Sequence, residues 1–145
     1  LHRLTGEYRI TRSDILHDVG TSLVPSIDIG QVEGAFVQGV GWLTMEEILY
    51  NPSGHPLTTG PSTYKIPAVG DVPMDLRVEL LQRAPAEGVI HGSKAVGEPP
   101  FMLGIAVLTA LRHAIGSRGA PGTVLDISAP YTPEVVLKAI EGLQG

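Results

Sequence analysis

The sequence contains no cysteine, and this absence excludes several kinds of site at once. A chain of 145 residues with zero Cys forms no disulfide, ligates no iron–sulfur cluster and holds no metal through thiolates. Basic residues are also scarce, because 10 Lys and Arg stand against 15 Asp and Glu, which leaves a net charge of −5. Nucleic acids and anionic membranes bind clustered Lys and Arg. We therefore expect neither as a partner.

Long apolar runs and metal-binding histidine spacings are missing as well. The longest apolar run, 101–111, holds about eleven residues, whereas a helix that crosses a bilayer needs roughly twenty. Arg9 and Arg12 interrupt any signal-peptide pattern near the start. The five histidines show no ligand spacing. These absences favour a soluble chain with no metal ligands among its own side chains.

The sequence contains an ordinary fraction of apolar residues, and these recur with the period of a strand in some segments and with the period of a helix in others. A hydrophobic fraction of 43% over 145 residues fits one domain, 1–145. The chain starts at Leu1 rather than at methionine, so we expect a fragment or a processed piece. Period-2 and helical patterns predict strands at 7–15 and 74–82, a hairpin around 51–54, and helices at 28–47, 101–117 and 133–141. Together they predict an α+β fold with a mainly antiparallel twisted sheet packed against helices.

The helix predicted at 28–47 carries four glycines, at 30, 34, 39 and 41. Each weakens a helix by roughly 0.5–1 kcal/mol relative to alanine, so we expect close packing of another backbone or of a ligand there. Asp28 is a predicted N-cap, and Gln31 three residues later completes a capping-box pattern. Gln31 could equally bind a ligand at the helix mouth.

Glu98 is the residue that the sequence singles out for chemistry. It lies between Gly97 and Pro99, which predicts an extended backbone, and it precedes an apolar helix. The helix terminus favours its charge and burial disfavours it, as in many general bases. An N-terminal capping glutamate is the simpler interpretation of the residue alone. The preceding segment, Gly92–Gly97, contains Ser93 and Lys94 and could cradle an oxyanion.

Three sequence blocks together carry a family resemblance: 14–39, 60–67 and 93–100. In this order and spacing they resemble the C-terminal region of the molybdenum-binding subunit in the xanthine dehydrogenase and aldehyde oxidase family of molybdenum hydroxylases. The resemblance runs from about Thr5 to Leu137. Val24 departs from it, because related sequences often have asparagine before this proline.

The resemblance implies a site and a mechanism. Glu98 matches the glutamate that takes a proton from a hydroxyl ligand of molybdenum, so that the oxygen can attack an electrophilic carbon of a purine. Gln31 matches a glutamine near the pterin, and Lys94 and Gly97 are further expected cofactor-binding residues. The implied cofactor is molybdenum–molybdopterin, with FAD and 2Fe-2S clusters on other domains or subunits. The implied fold is the family's molybdopterin-binding domain.

The resemblance also implies a role in a larger enzyme. We expect part of a cytoplasmic xanthine dehydrogenase that oxidises hypoxanthine and xanthine to urate. Its partners would be the upstream part of the molybdenum subunit and the iron–sulfur and FAD portion, in a higher oligomer, and the isolated chain would be inactive. Two alternatives stay open: a related molybdenum hydroxylase that acts on an aldehyde or another N-heterocycle, and a non-catalytic scaffold fragment.

Overall fold

The computed structural model describes residues 1–82 and 85–143, and it mixes helices with a small sheet. The strands are β1 (Arg12–His17) and β2 (Asp75–Leu80), and the α-helices are α1 (Pro25–Thr44), α2 (Ile105–Gly116) and α3 (Pro133–Gly142). Short 3-10 helices cover Val69–Asp71, Ile90–Gly92 and Pro99–Gly104. The predicted helices are therefore present, with shifted ends. The predicted strands overlap the observed ones.

The two strands that the structure describes pair in parallel, with Arg12 opposite Asp75 and His17 opposite Leu80. The prediction of a mainly antiparallel sheet is therefore wrong for the described residues. The physical reason is the connection, because β1 and β2 are joined by α1 and a long loop, and a crossover of this kind allows parallel pairing. The predicted hairpin at 51–54 is a turn closed by one antiparallel bridge between Tyr50 and Pro56.

Helix α1 begins earlier than predicted, at Pro25, with Val24 as its N-cap residue. Proline is well suited to the first helical position, because its fixed φ fits and its missing N–H would have no helical partner there. Asp28 lies in the first turn, where its carboxylate accepts a hydrogen bond from Ser22 Oγ at 2.5 Å. The predicted capping box of Asp28 and Gln31 is therefore wrong.

The core lies between the three α-helices and the sheet. Its apolar side chains recur every three or four residues along each helix. Full burial of a valine, leucine, isoleucine or phenylalanine side chain contributes about 1.5–3 kcal/mol to folding stability. The members of this cluster are Ile15, Val32, Phe36, Val40, Val107, Leu111, Ile115, Leu125, Tyr131, Val136 and Ile140.

The apolar segment after Glu98 is not the single helix that the sequence predicted at 101–117. It starts as a 3-10 helix and continues as α2, and it buries one face while Met102 and Ile105 are 52% and 40% exposed. The reason is that α1 and α3 cover only one side of it. By length and composition alone, Pro99–Gly116 (mean hydropathy 1.2) could cross a membrane. The core helix of a soluble protein passes the same test, so this carries little weight.

Candidate functional site

Glu98 stands at the start of the 3-10 helix Pro99–Gly104 as its N-cap residue. Its carbonyl oxygen accepts a hydrogen bond from the Phe101 N–H at 3.0 Å. The Glu98 backbone is right-handed helical, with φ −103° and ψ −39°, so the predicted extended conformation is wrong. A following proline disfavours this region without forbidding it, and here the hydrogen bond that opens the turn offsets the cost.

Contacts with α1 hold this 3-10 helix in place. Pro100 is buried, and the Phe101 ring stacks on Trp42 of α1 with the ring centroids 5.1 Å apart. The backbones of the two helices also touch at Gly39 and Gly104. A Cβ at Gly39 would lie 2.1 Å from the Phe101 carbonyl oxygen, and a Cβ at Gly104 would lie 2.6 Å from the Gly39 carbonyl carbon. The turn that carries Glu98 is therefore fixed against α1 by backbone packing.

The four glycines of α1 divide into two pairs. Gly39 packs on the 3-10 helix, and a Cβ at Gly41 would come within 2.5 Å of the Pro67 ring. The predicted close packing of another backbone is therefore confirmed for Gly39, whereas Gly41 packs against side chains. Gly30 and Gly34 differ, because a Cβ there would meet no atom of the described residues within 4 Å. Within the part of the chain that the structure describes, nothing accounts for this second pair.

Gln31 and Gly97 lie next to each other, although they are far apart in the sequence. The Gln31 Oε1 atom is 3.2 Å from the position that a Cβ at Gly97 would take. Both residues are exposed, and Glu98 follows Gly97 directly. Three of the four predicted site residues thus form one surface patch, which we call the base patch: Gln31, Gly97 and Glu98.

The Glu98 side chain is exposed, so the burial that the sequence predicted is not supplied by this chain. Among residues 1–82 and 85–143, no side chain or backbone group forms a hydrogen bond or ion pair with its carboxylate. An ionised carboxylate is an acceptor with several free lone-pair positions. The chain therefore offers a carboxylate that can accept a proton from a group bound opposite it.

Lys94, the fourth predicted site residue, forms its contacts outside the base patch. Its ammonium Nζ lies 2.5 Å from Asp18 Oδ2, and its N–H donates to the Val19 carbonyl oxygen at 2.9 Å. Asp18 was not predicted as a site residue. The two partners are 76 residues apart along the chain, and no spacing rule connects residues at that distance.

The described part of the chain contains no group of three or more His, Cys, Asp or Glu side chains that could hold a metal ion. The carboxylate of Glu98 and the amide of Gln31 stand next to bare backbone at Gly97. Such a patch has both donors and acceptors and room for close approach, which suits a flat polar group. A metal at this patch would have to be held largely by ligands from outside these residues.

Solved structures of other proteins share this fold. Quinoline 2-oxidoreductase from Pseudomonas putida 86 is 31% identical, with a TM-score of 0.74 over 89% of this chain and 16% of its own. The CO dehydrogenase from Oligotropha carboxidovorans is 25% identical, with a TM-score of 0.82 over 97% of this chain and 17% of its own. The mixed helix-and-strand architecture is therefore that of a domain found in larger oxidoreductases.

Sequence comparison identifies the family. Residues 1–73 match the model of the molybdopterin cofactor-binding domain. The chain is 52% identical over 134 residues to the xanthine dehydrogenase of Dictyostelium discoideum, which covers 90% of the chain and 10% of that protein. It is 50% identical over 141 residues to the xanthine dehydrogenase/oxidase of Rattus norvegicus, which covers 94% of the chain and 11% of that protein. The chain belongs to the molybdopterin cofactor-binding domain family, and it spans about a tenth of the length of these relatives.

The base patch fits the cofactor that this family name implies. A pterin presents alternating hydrogen-bond donors and acceptors on a flat ring, and the amide of Gln31 supplies one of each. Gly97 has no side chain, so a ligand can approach the backbone beside Gln31. The dithiolene sulfurs that molybdopterin carries beside its pterin ring would hold the molybdenum, so the described residues would not need to supply metal ligands.

Proposed function

We propose that this chain is the part of a molybdenum hydroxylase that supplies Glu98 as the catalytic base. Gln31, Gly97 and Lys94 contribute to the binding site of the molybdenum–molybdopterin cofactor. The observation that carries the proposal is the exposed Glu98 carboxylate, which has no partner among the described residues and lies in one patch with Gln31 and Gly97. A surface capping glutamate would need neither the bare Gly97 nor the glycine contact beneath it.

The chain's own residues have three tasks in this reaction. Glu98 accepts a proton at a carboxylate oxygen, which requires that it be held within hydrogen-bond reach of the donor. The contact of Gly39 with Phe101 and Gly104 holds the turn that carries it. Gln31 and the backbone at Gly97 orient the cofactor against Glu98. When bound, the cofactor supplies the hydroxyl group whose proton Glu98 accepts, and it accepts the electrons from the substrate.

The proposed substrates are hypoxanthine and xanthine, which the complete enzyme oxidises to urate. Identity of about one half to xanthine dehydrogenases over more than 90% of this chain supports this choice. The remaining parts of the enzyme are the upstream portion of the molybdenum subunit and the portion that carries FAD and the 2Fe-2S clusters. We place the assembly in the cytoplasm as a higher oligomer, and we expect the isolated chain to be inactive.

A second candidate function is hydroxylation of another N-heterocycle or of an aldehyde. The likeness to quinoline 2-oxidoreductase, at 31% identity and a TM-score of 0.74, favours this alternative. Both functions use the same base, so the base patch does not separate them. The two functions are separated by measuring the turnover of xanthine, quinoline and an aldehyde by the metal-loaded wild-type enzyme.

The test of the base is Glu98→Gln in the full-length enzyme. The amide keeps the shape of the side chain and cannot take the proton, so kcat with xanthine should fall by about 10²–10⁴-fold, the usual contribution of a general base. The molybdenum content, measured by elemental analysis, should equal that of wild type. The matched control is Glu134→Gln, because Glu134 is exposed on α3 and pairs only with Lys138 in the described structure.

A Glu98→Gln enzyme that keeps most of its rate at equal metal loading would show that Glu98 is not the base. A metal-loaded wild-type enzyme that does not oxidise xanthine would overturn the substrate. Glu98→Gln would then be tested with quinoline or an aldehyde.

A further inference from the structure

The segment that carries Glu98 is held at both of its ends, and the N-terminal end is held by a part of the chain that the base patch does not include. Residues 18–21 follow β1, and residues 92–94 lie against them in an arrangement that we call the clasp. Gly20 and Ser93 form an antiparallel bridge. The Thr21 N–H donates to the Gly92 carbonyl oxygen at 2.8 Å, and the Lys94 N–H donates to Val19 at 2.9 Å.

Asp18 organises both sides of this clasp. Its Oδ1 atom accepts the Gly20 N–H at 2.9 Å, and its Oδ2 atom lies 2.5 Å from Lys94 Nζ. The fit is tight, because Gly20 has a φ of +61° and a Cβ there would lie 2.4 Å from the Gly92 carbonyl oxygen. One carboxylate therefore shapes the turn on its own strand and holds the lysine of the opposite segment.

The distance from the clasp to the base is short along the chain. Only Ala95, Val96 and Gly97 separate Lys94 from Glu98, and Val96 is half-buried against the core. Because no described residue binds the Glu98 carboxylate, its position depends on the backbone on either side of it. The backbone on the C-terminal side is fixed by the 3-10 helix packed on α1. On the N-terminal side the clasp has this role.

We propose that Asp18 is a positioning residue for Glu98 and acts through Lys94, an inference that rests on the proposed function. The side chains of Lys94 and Asp18 are 41% and 23% exposed, and ion pairs that exposed contribute little to folding stability. The pair instead fixes the position of Lys94, at the start of the segment that leads to Glu98. The placement of a catalytic base affects kcat far more than it affects folding stability. Lys94 thus contributes to the cofactor site through the backbone that it holds in place, and its ammonium group pairs with Asp18.

The experiment uses the full-length enzyme with Asp18→Asn, Lys94→Met and the double variant. The asparagine side chain keeps an oxygen that can accept the Gly20 N–H, so the first variant removes the charge alone. We expect kcat with xanthine to fall about tenfold in each single variant with KM changed less than about twofold, because a base displaced by a fraction of an ångström loses rate and not substrate binding. The double variant should lose less than the two single losses combined, since both single variants remove the same Asp18–Lys94 contact.

Hydrogen exchange gives a readout that needs no turnover. The amides of Thr21 and Lys94 should exchange about tenfold faster in Asp18→Asn and in Lys94→Met, because both donate across the clasp. Lys94→Arg, which keeps the charge, should restore most of the protection and most of kcat. Glu134→Gln, which breaks an exposed ion pair on α3, is the matched control and should leave both unchanged.

Wild-type exchange at Thr21 and Lys94 in Asp18→Asn would overturn the proposal, whatever the kinetics. Additive losses in the double variant would overturn it too, because they would show that the two residues act independently. A loss of molybdenum confined to Lys94→Met would also overturn it, because it would place the lysine ammonium on the cofactor. Failure of the proposed function is a different result: Glu98→Gln then stays active, or xanthine is not oxidised, while the exchange experiment still reports on the clasp.

Discussion

The replacement Gly39→Ala tests whether backbone packing between α1 and the 3-10 helix places the base. The added Cβ would lie 2.1 Å from the Phe101 carbonyl oxygen, about 1.3 Å short of the 3.4 Å at which ordinary contact begins. The obstacle is backbone on both sides, so no side chain can rotate out of the way. The 3-10 helix must therefore move away from α1 by about an ångström.

The energetic and kinetic consequences have different sizes. Overpacking of this kind costs typically about 1–3 kcal/mol, and the better helix propensity of alanine returns about 1 kcal/mol, so the net loss of stability is about 0–2 kcal/mol. The Phe101 N–H donates to the Glu98 carbonyl oxygen, so the shift reaches the base directly. A displacement of 1 Å lowers a rate by up to about 10²-fold, and we expect kcat to fall by about 10–10²-fold.

The assay is steady-state xanthine oxidation by the full-length enzyme, normalised to molybdenum content, with thermal inactivation measured alongside. Gly142→Ala is the control, because it makes the same change near the end of α3, where a Cβ meets no described atom within 4 Å. A Gly39→Ala enzyme with the kcat of wild type would refute the idea that this contact positions Glu98.

Two further predictions concern stability. Burial raises the pKa of Tyr8 from 10.0 to about 12. Because the unfolded chain ionises this phenol at a lower pH than the folded chain does, stability is lost as pH rises from about 10 to 12. The thermal unfolding midpoint should therefore fall less steeply over this range in Tyr8→Phe than in wild type, and equal slopes would contradict this. Val24 caps α1 with a side chain that accepts no hydrogen bond, so Val24→Asn should stabilise the protein by about 1 kcal/mol; an unchanged midpoint in thermal or denaturant unfolding would show that the cap is not limiting.

Local signals in the sequence predicted the helices well and their ends less well. Helix α3 was predicted almost to the residue, because Thr132 caps it and Pro133 takes its first position, both recognisable from neighbours alone. The start of α1 was misplaced by three residues. Asp28 has a stronger preference for the N-cap position than Val24 has. The helix nevertheless begins at Pro25, although the Val24 side chain cannot accept a capping hydrogen bond.

The sheet could not be oriented from local signals. Period-2 alternation marks β1 and β2, but it is identical for parallel and antiparallel strands. Their orientation depends on how the intervening chain, with α1 in it, crosses from one strand to the next, which is a property of the whole fold. The segment around the single bridge at Tyr50 was predicted as a hairpin of the sheet, because it has the same turn residues as a true hairpin.

Motif resemblance predicted a site whose role stays a prediction, and contacts between residues far apart in the sequence were not predicted. The neighbouring positions of Gln31 and Gly97 agree with two residues that the resemblance had assigned to one cofactor. The Asp18–Lys94 pair was not foreseen, because each residue is ordinary in its own segment. The exposure of Glu98 was also unforeseen, since burial depends on what surrounds the chain as much as on the chain itself.

The contact between Gly39 and the Phe101 carbonyl oxygen also limits how the sequence can diverge. Where two side chains meet in a core, a larger residue on one side can be accommodated by a smaller one on the other. Here the opposing atom is a carbonyl oxygen, which every amino acid carries, so no second substitution restores the space. Directed evolution of this region should therefore find no suppressors at Phe101 for a replaced Gly39, and any that arise should instead lengthen or re-route the turn that begins at Glu98.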